Sequence, residues 1–509
     1  MPLPIPQPSA EELENVLDQI KSLVVNKYAN TSPPSDFVVP SAETLTAHSQ
    51  RLIQQLPETG LGFEPAFDFV KDTVLPALSN QSTETYLGFV TGGATPAALV
   101  GDYIVSLFDQ NVHRYGDSLA AVIENVTLSL ILEFVYLDPS AWKGRLVTTG
   151  ATASNILALA VGREHVLAQH IAANEGPDAS GSTPLTSEIG LFKAMKLANL
   201  ESMQVLHCLS HSSIAKACAV LGLGSNAAMS VSDASKPWCF DLAQLEERLA
   251  TPHVGSIVVV SFGEVNTGRY TRDIPKIRAL CDKYHAWLHI DGAFGIYSSA
   301  LRGSNTSEYQ AKAIEWTDGL ELGDSITGDA HKSLNVPYDC GFFYCRDEAL
   351  LQSVFKNPGA AYLAGVKGAP VNPLDKGIEN SRRFRALPLY LTLLAYGRNG
   401  YQQLVDASIR AARLIAEYIA SSETYILLPD DDISEVSTIV LFRAKSDVLN
   451  AELLARINSS RAISLSGTQW HHQPAVRVAV SNWKIDAESL ASRVVKELAR
   501  VAREFEEHP

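Results

Sequence analysis

Apolar residues recur at helical spacing up to Val24, behind a Ser9–Glu12 capping box, and predict an N-terminal helix. Residues 28–40, rich in Ser, Pro and Thr, predict a linker. Helical patterns dominate from Phe63 to Leu137, with a glycine-rich break at Thr91–Thr95. The character then changes. Strand patterns at Arg145–Thr149, Gln204–Leu209, Ile257–Phe262, Trp287–Ile290 and Gly341–Cys345 alternate with helical ones at Asn155–Gln169, Ile214–Leu223 and Ile274–Tyr284. Ile257–Phe262 is apolar without alternation, as in a strand covered on both faces. Such alternation implies an α/β fold with a mostly parallel sheet under helices. Residues 173–187 predict a surface loop. Beyond Asn380 come a long helix, Pro388–Ser421, strands at Thr438–Phe442 and Val476–Ser481, and a final helix, Ala487–Glu507. This predicts three units: an N-terminal helical segment (1–100), a large domain (101–379) and a small α+β domain (380–509).

Composition narrows the function classes. The 509 residues are 46% hydrophobic, enough for a large core. A net charge of -15 argues against nucleic acid or an anionic membrane surface as partner. The longer apolar stretches are interrupted by polar or charged residues within about 18 positions, so none predicts a membrane span. The opening Met-Pro-Leu-Pro-Ile-Pro lacks the pattern of a signal peptide. Six cysteines include no CxxC pair, and Cys208, Cys340 and Cys345 fall in apolar runs. Buried thiols in a reducing, cytoplasmic setting are expected.

Four polar segments sit at strand ends, where open α/β sheets bind ligands. Thr149–Asn155 offers small residues at a strand-to-helix turn, where backbone N–H groups and a helix N-terminus attract an anion; a plain tight turn has the same composition. His211-Ser212-Ser213 supplies a ring able to stack on a flat ligand, or a serine-capped helix start. His289-Ile290-Asp291-Gly292-Ala293 delivers Asp291 to a sheet end. A buried acid there needs a cationic partner such as a protonated pyridine nitrogen, and small Ala293 leaves room for a flat ring; a helix-capping Asp is the alternative. Gly328–Asn335 contains Lys332, an amine able to form an imine when its pKa is lowered, or a solvated lysine.

Taken together, the set resembles the fold-type-I pyridoxal-phosphate (PLP) enzymes, and more narrowly the group II amino-acid decarboxylases of aromatic amino acids, histidine and glutamate. The matches are His211-Ser212-Ser213, Trp287–Ala293, Asp329-Ala330-His331-Lys332 and Ser381-Arg382-Arg383-Phe384-Arg385, within a resemblance spanning roughly residues 60–485. The resemblance implies PLP as cofactor, Lys332 as the Schiff-base lysine and Asp291 on the pyridine nitrogen. It puts His211 on the ring face opposite Ala293, and Ala151 and Thr152 on the phosphate with Ser325 and His331 nearby. Asn266 and Thr267 are then near the ring hydroxyl. A homodimer with shared active sites is implied, as is decarboxylation of an L-amino acid, aromatic or similar, to an amine. The chain departs from the family in one respect. In aromatic amino-acid decarboxylases a loop tyrosine protonates the carbanion left by carbon dioxide. Here Pro358–Glu379 holds only Tyr362, and Leu363–Ile378 has neither Tyr nor His. Tyr362 and His211 are therefore the candidate donors, and aldehyde synthesis, retro-aldol cleavage or transamination is the alternative reaction. An insertion is expected around Asn305–Lys312. Phe89 and Gly92-Gly93 are expected to line the pocket, with Asn111, His113 and Arg114 near it. Arg477 reads either as a carboxylate holder or as half of a salt bridge. His471 and His472, lacking a third ligand, read as a loop and not a metal site.

Overall fold

Three central strands of the large sheet are buried at every residue, polar ones such as His289 and Thr327 included: β5 (Trp287–Asp291), β6 (Ser325–Asp329) and β7 (Gly341–Cys345). The structure, a computed structural model, describes residues 7–29, 37–175, 186–357 and 370–508. The other strands of this sheet are β1 (Gly144–Thr148), β2 (Ser202–His207), β3 (Ala228–Ser230) and β4 (Val254–Ser261). Their order is β1-β7-β6-β5-β4-β2-β3. Pairing is parallel from β3 through β6, and β7 runs antiparallel to both β6 and β1. The strands β1, β2, β4, β5 and β6 therefore all end on one edge, and the loops leaving them converge there.

Helices cover this sheet as the alternation predicts. Ala151–Glu175 packs against β4, β5, β6 and β7. Ile257, Val259 and Trp287 join its residues Leu157 and Val161 in one core cluster. The opposite face buries Leu288, Ile290, Ile326 and Phe342 with the helix Ala120–Phe134.

Two expectations are corrected. Ser325–Asp329 was absent from the predicted strands because Ser-Ile-Thr-Gly-Asp has one apolar residue in five; it is nevertheless a central strand. The long helix spans Ala386–Ser421 but is interrupted at Gly397 (φ 58°, ψ -172°), so it is two helical pieces across a kink.

The C-terminal region has a second sheet of β8 (Tyr425–Leu428), β9 (Ile439–Ala444), β10 (Ser466–Trp470) and β11 (Gln473–Ala479), antiparallel throughout. Its core, built from residues such as Phe442, Val478 and Leu498, is distinct from those of the large sheet. His471 and His472 (φ 48° and 64°) are the two turn residues of the β10–β11 hairpin. Among the described residues no His, Cys, Asp and Glu group is suited to a metal, and no helix is long and apolar enough to cross a membrane. At the N-terminus the helix Ala10–Ala29 begins with the reciprocal capping box: Glu12 N–H donates to Ser9 Oγ at 3.1 Å, and Ser9 N–H to Glu12 Oε2 at 2.7 Å. The segment Asn305–Lys312 leads into the short helix Gln310–Trp316, which Lys312 ties to Glu435 in the C-terminal region.

Candidate active site

The chain turns from β1 into the helix Ala151–Glu175 through Thr149 and Gly150, directly above the first residue of β7. The approach is close: a Cβ on Gly341 would lie 2.5 Å from Gly150 Cα, so only glycine fits there. The first helical N–H, that of Ala151, donates to Asp329 Oδ1 at 2.6 Å. Asp329 ends β6, and its Oδ2 lies 2.9 Å from Lys332 Nζ. The lysine loop is pinned from beyond the sheet. Asn335 Nδ2 donates to Gly92 O at 2.7 Å and to Ser481 O at 2.9 Å. A Cβ on Gly92 would come within 2.0 Å of Lys332 O, so this glycine too is fixed by close approach.

Asp291 ends β5, one strand away. Its Oδ2 accepts from Asn155 Nδ2 at 2.9 Å and its Oδ1 from Ala293 N–H at 3.2 Å. Among the described residues it has no ion-pair partner. His211 follows β2, and its Nδ1 accepts the Ser213 backbone N–H at 3.2 Å. A backbone N–H only donates, so Nδ1 is unprotonated and the neutral ring carries its hydrogen on Nε2. His331 Nδ1 likewise accepts from Cys340 N–H at 3.2 Å, and its ring packs on Tyr338 with centroids 4.3 Å apart.

These groups surround one cavity of about 310 Å³, within the range of small-ligand sites. Ala151, Thr152, His211, Asp291, Ala293, His331 and Lys332 all line it, with Phe294 beneath the lysine, 5.8 Å from Nζ to ring centroid. Burial pushes the His211 pKa down, against the attraction of Asp291, and the nearby Lys332 charge adds to the lowering. Burial also lowers His331. His289, wholly enclosed beneath Asp291, falls to about 4 for the same reason.

Two of the expected site residues are elsewhere. Ser325 begins β6 and is wholly buried; its Oγ accepts from Trp287 Nε1 at 2.9 Å and meets His289 Nδ1 at 2.8 Å, two residues back from the cavity edge of β5. Asn266 turns away: its Oδ1 accepts from Thr468 Oγ1 at 2.7 Å, and it faces a separate cleft beside β10. The neighbouring Thr267 binds Glu264, and Gly263 and Val265 are the residues of this turn that line the cavity.

The substrate-side expectations also shift. Phe89 is 60% exposed and outside the cavity lining. His113 and Arg114 both pair with Asp117, and Asn111 meets Ser381. Arg477 is buried and donates to the carbonyls of Val265 and Gly88 at 2.7 and 2.9 Å, so the salt-bridge expectation gives way to a carbonyl clamp. Arg382 forms a buried ion pair with Glu124 and braces β1 through Val147 O. Tyr362 lies outside the described residues. Sequence reasoning quoted Asn155 and Asp329 within motifs but gave neither a role. The available signal was that Asp329 is a polar residue three positions before Lys332 and that Asn155 lies one helical turn beyond Ala151.

Comparison with known proteins gives a consistent picture. Residues 48–445 match the family model described as the pyridoxal-dependent decarboxylase conserved domain. An L-2,4-diaminobutyrate decarboxylase of Acinetobacter baumannii is 30% identical over 375 residues, 72% of this chain and 68% of that one. An aromatic-L-amino-acid decarboxylase of Bacillus atrophaeus is 24% identical over 507 residues, 96% of this chain and 95% of that one. Among solved structures, Oryza sativa TDC with PLP and tryptamine superposes with a TM-score of 0.80 at 19% identity, covering 97% of this chain and 100% of that one.

Proposed function

Since this chain belongs to the pyridoxal-dependent decarboxylase family, we propose that the cavity at the strand ends holds the cofactor, with Lys332 as its covalent attachment point. The protein is a PLP-dependent carboxy-lyase acting on an amino acid, with the fold-type-I architecture. The observation that carries the residue assignment is Asp291. It is a buried carboxylate held by neutral donors alone, on the wall of a cavity that also contains the Lys332 amine and a helix N-terminus.

The residues fit the group. Ala151 and Thr152, at the start of a 25-residue helix, suit the phosphate. Asp291 would hold a proton on the ring nitrogen, and His211 and Ala293 would flank the ring. His331 would stand on the phosphate side. When bound, PLP supplies an electron sink for the pair left at the α-carbon as carbon dioxide departs. Asp329 Oδ2, 2.9 Å from Lys332 Nζ, takes up the ammonium proton when the amine is needed as a nucleophile. His211, neutral and with its hydrogen on Nε2, is the described group we assign to return a proton to the α-carbon.

We assign an aromatic or similar L-amino acid as substrate; the diaminobutyrate decarboxylase relative supports a second reading, a short diamino acid. The purified holoenzyme, given aromatic amino acids, 2,4-diaminobutyrate and aspartate, should release the amine of one class, read by mass spectrometry. Aldehyde with ammonia, or a keto acid, as the main product would overturn simple decarboxylation.

We further assign a homodimer. Leu107, Phe108 and Leu119 are 77%, 64% and 68% exposed, on or beside helices that pack on Ala386–Ser421, itself exposing Leu394. Six cysteines without a disulfide accord with a cytoplasmic setting. We retain three units at 1–100, 101–379 and 380–509; the C-terminal one has a core of its own from Ala411 onward, while Phe384–Ile409 packs into the core of the large sheet.

A further inference from the structure

A buried hydrogen-bonded chain leads from the interior of β5 and β6 to Asp291, and the donor direction of every link can be assigned. At one end Trp287 Nε1–H, which only donates, binds Ser325 Oγ at 2.9 Å. At the other, the Asp291 carboxylate, which only accepts, takes Asn155 Nδ2 at 2.9 Å. The second amide hydrogen of Asn155 faces Ser213 Oγ at 3.0 Å. Both amide donors are then used, and Oδ1 must accept, from His289 Nε2 at 3.0 Å. The hydrogen of the neutral His289 ring is therefore on Nε2. Its Nδ1 accepts the Ser325 hydroxyl hydrogen across 2.8 Å. Flipping Asn155 would set its oxygen against the Asp291 carboxylate, so the opposite assignment is excluded. Asn155, His289 and Ser325 have no exposed surface, so water does not compete for these bonds. The same amide reaches His211 through Ser213, whose Oγ lies 2.8 Å from His211 Nδ1.

We propose that Asn155 and His289, braced by Ser325 and Trp287, are positioning residues that fix the direction in which the Asp291 carboxylate faces the cavity. The proposal rests on the reading that Asp291 faces the ring nitrogen of the cofactor. The direction follows from hydrogen bonding. Donation to Oδ2 stabilises the carboxylate charge and holds it in place, so that it would keep a proton on the ring nitrogen. Without that donor the carboxylate is free to turn, and the nitrogen would lose its charged partner. None of the four residues needs to touch substrate. Sequence reasoning placed Ser325 at the phosphate; its geometry gives it this other task.

The test uses holoenzyme loaded with PLP carrying ¹⁵N in the ring, read by NMR together with kcat and KM. Asn155→Leu and His289→Phe should move the ring resonance toward that of neutral pyridine and lower kcat tenfold or more, with KM within threefold. His289→Gln keeps a donor toward Asn155 and an acceptor toward Ser325, and should stay near wild type. A space-filling role for His289 predicts that Phe does at least as well as Gln. Equal behaviour of those two variants, or an unmoved resonance in His289→Phe, overturns the proposal. If Asn155→Leu does not fold, the His289 pair decides alone. Asp291→Asn separates the two layers. If it leaves the resonance unmoved, the reading of Asp291 fails. If it moves the resonance while His289→Phe does not, only the positioning chain fails.

Discussion

Asp291 and Asp329 end neighbouring parallel strands on one wall of the cavity, yet they are satisfied in opposite ways. Asp329 has a cation, Lys332 Nζ at 2.9 Å, and the Ala151 N–H. Asp291 has an amide and a backbone N–H, both neutral. A carboxylate whose charge is already matched keeps an amine in place and exchanges a proton with it. One held only by neutral donors keeps its demand for a cation, which a protonated ligand nitrogen would meet. The difference comes from what lies behind each residue. Asp291 is backed by the buried Asn155–His289–Ser325 chain, whereas Asp329 is backed by the start of a helix and a lysine with partial access to the cavity.

The strongest way to break this comparison is at the amine. Lys332→Ala should lower turnover at least about a thousandfold, roughly 4 kcal/mol in the barrier, and remove the cofactor trapped covalently by borohydride. Peptide mapping that finds the label on another lysine would refute the assignment.

The two carboxylates come next. Asp291→Asn should cost about a hundredfold in kcat while cofactor occupancy persists, because the phosphate contacts are untouched. Asp329→Asn keeps an oxygen for the Ala151 N–H and should cost only about tenfold. A larger loss in Asp329→Asn than in Asp291→Asn would reverse the roles of the two acids.

A third effect concerns pH. The His289 pKa is about 4 in the fold against 6.5 for the free side chain. Between those values the unfolded chain binds the extra proton, so stability is retained above pH 6.5 and falls as pH drops toward 4. The loss between pH 7 and 5 should be roughly 2 kcal/mol from this group. Urea unfolding at the two pH values should show a shallower decline in His289→Gln, which has nothing to titrate there; an unchanged decline would remove His289 as its source.

The smallest expected effect is at the phosphate side. Gly341→Ala pushes a methyl against the Gly150 backbone and should weaken cofactor affinity severalfold, read by dialysis and reconstitution. Unchanged affinity would show that the turn above β7 is not the anion contact.

Much of the site was legible in order along the chain. Asp291, His211 and the turn at Ala151–Thr152 follow strands whose apolar runs are plain in the sequence, Lys332 follows the polar strand Ser325–Asp329, and all four line one cavity. Ser325 and Asn266 were misplaced for a shared reason. Each is a polar residue in or just after a strand, and sequence does not tell which way such a side chain points. Ser325 points into the core because Trp287 and His289 bond it there; Asn266 points to the C-terminal sheet because Thr468 does.

The sequence by itself determined the alternation of strands and helices, the capping box at Ser9, and the residue types that reach the sheet edge. These depend on neighbours a few positions apart, and local periodicity records them. Only the tertiary structure decided that Ser-Ile-Thr-Gly-Asp is a central strand and which carboxylate would have a cation. It also decided that Asn155 would join Asp291, His289 and Ser213. The Asn155–Asp291 bond joins segments 136 residues apart in the chain, and even the Asp329–Lys332 pair, three residues apart, depends on the strand that the tertiary structure makes of Ser325–Asp329. Burial excludes water there, so each donor and acceptor takes the partner that the packed elements bring within reach.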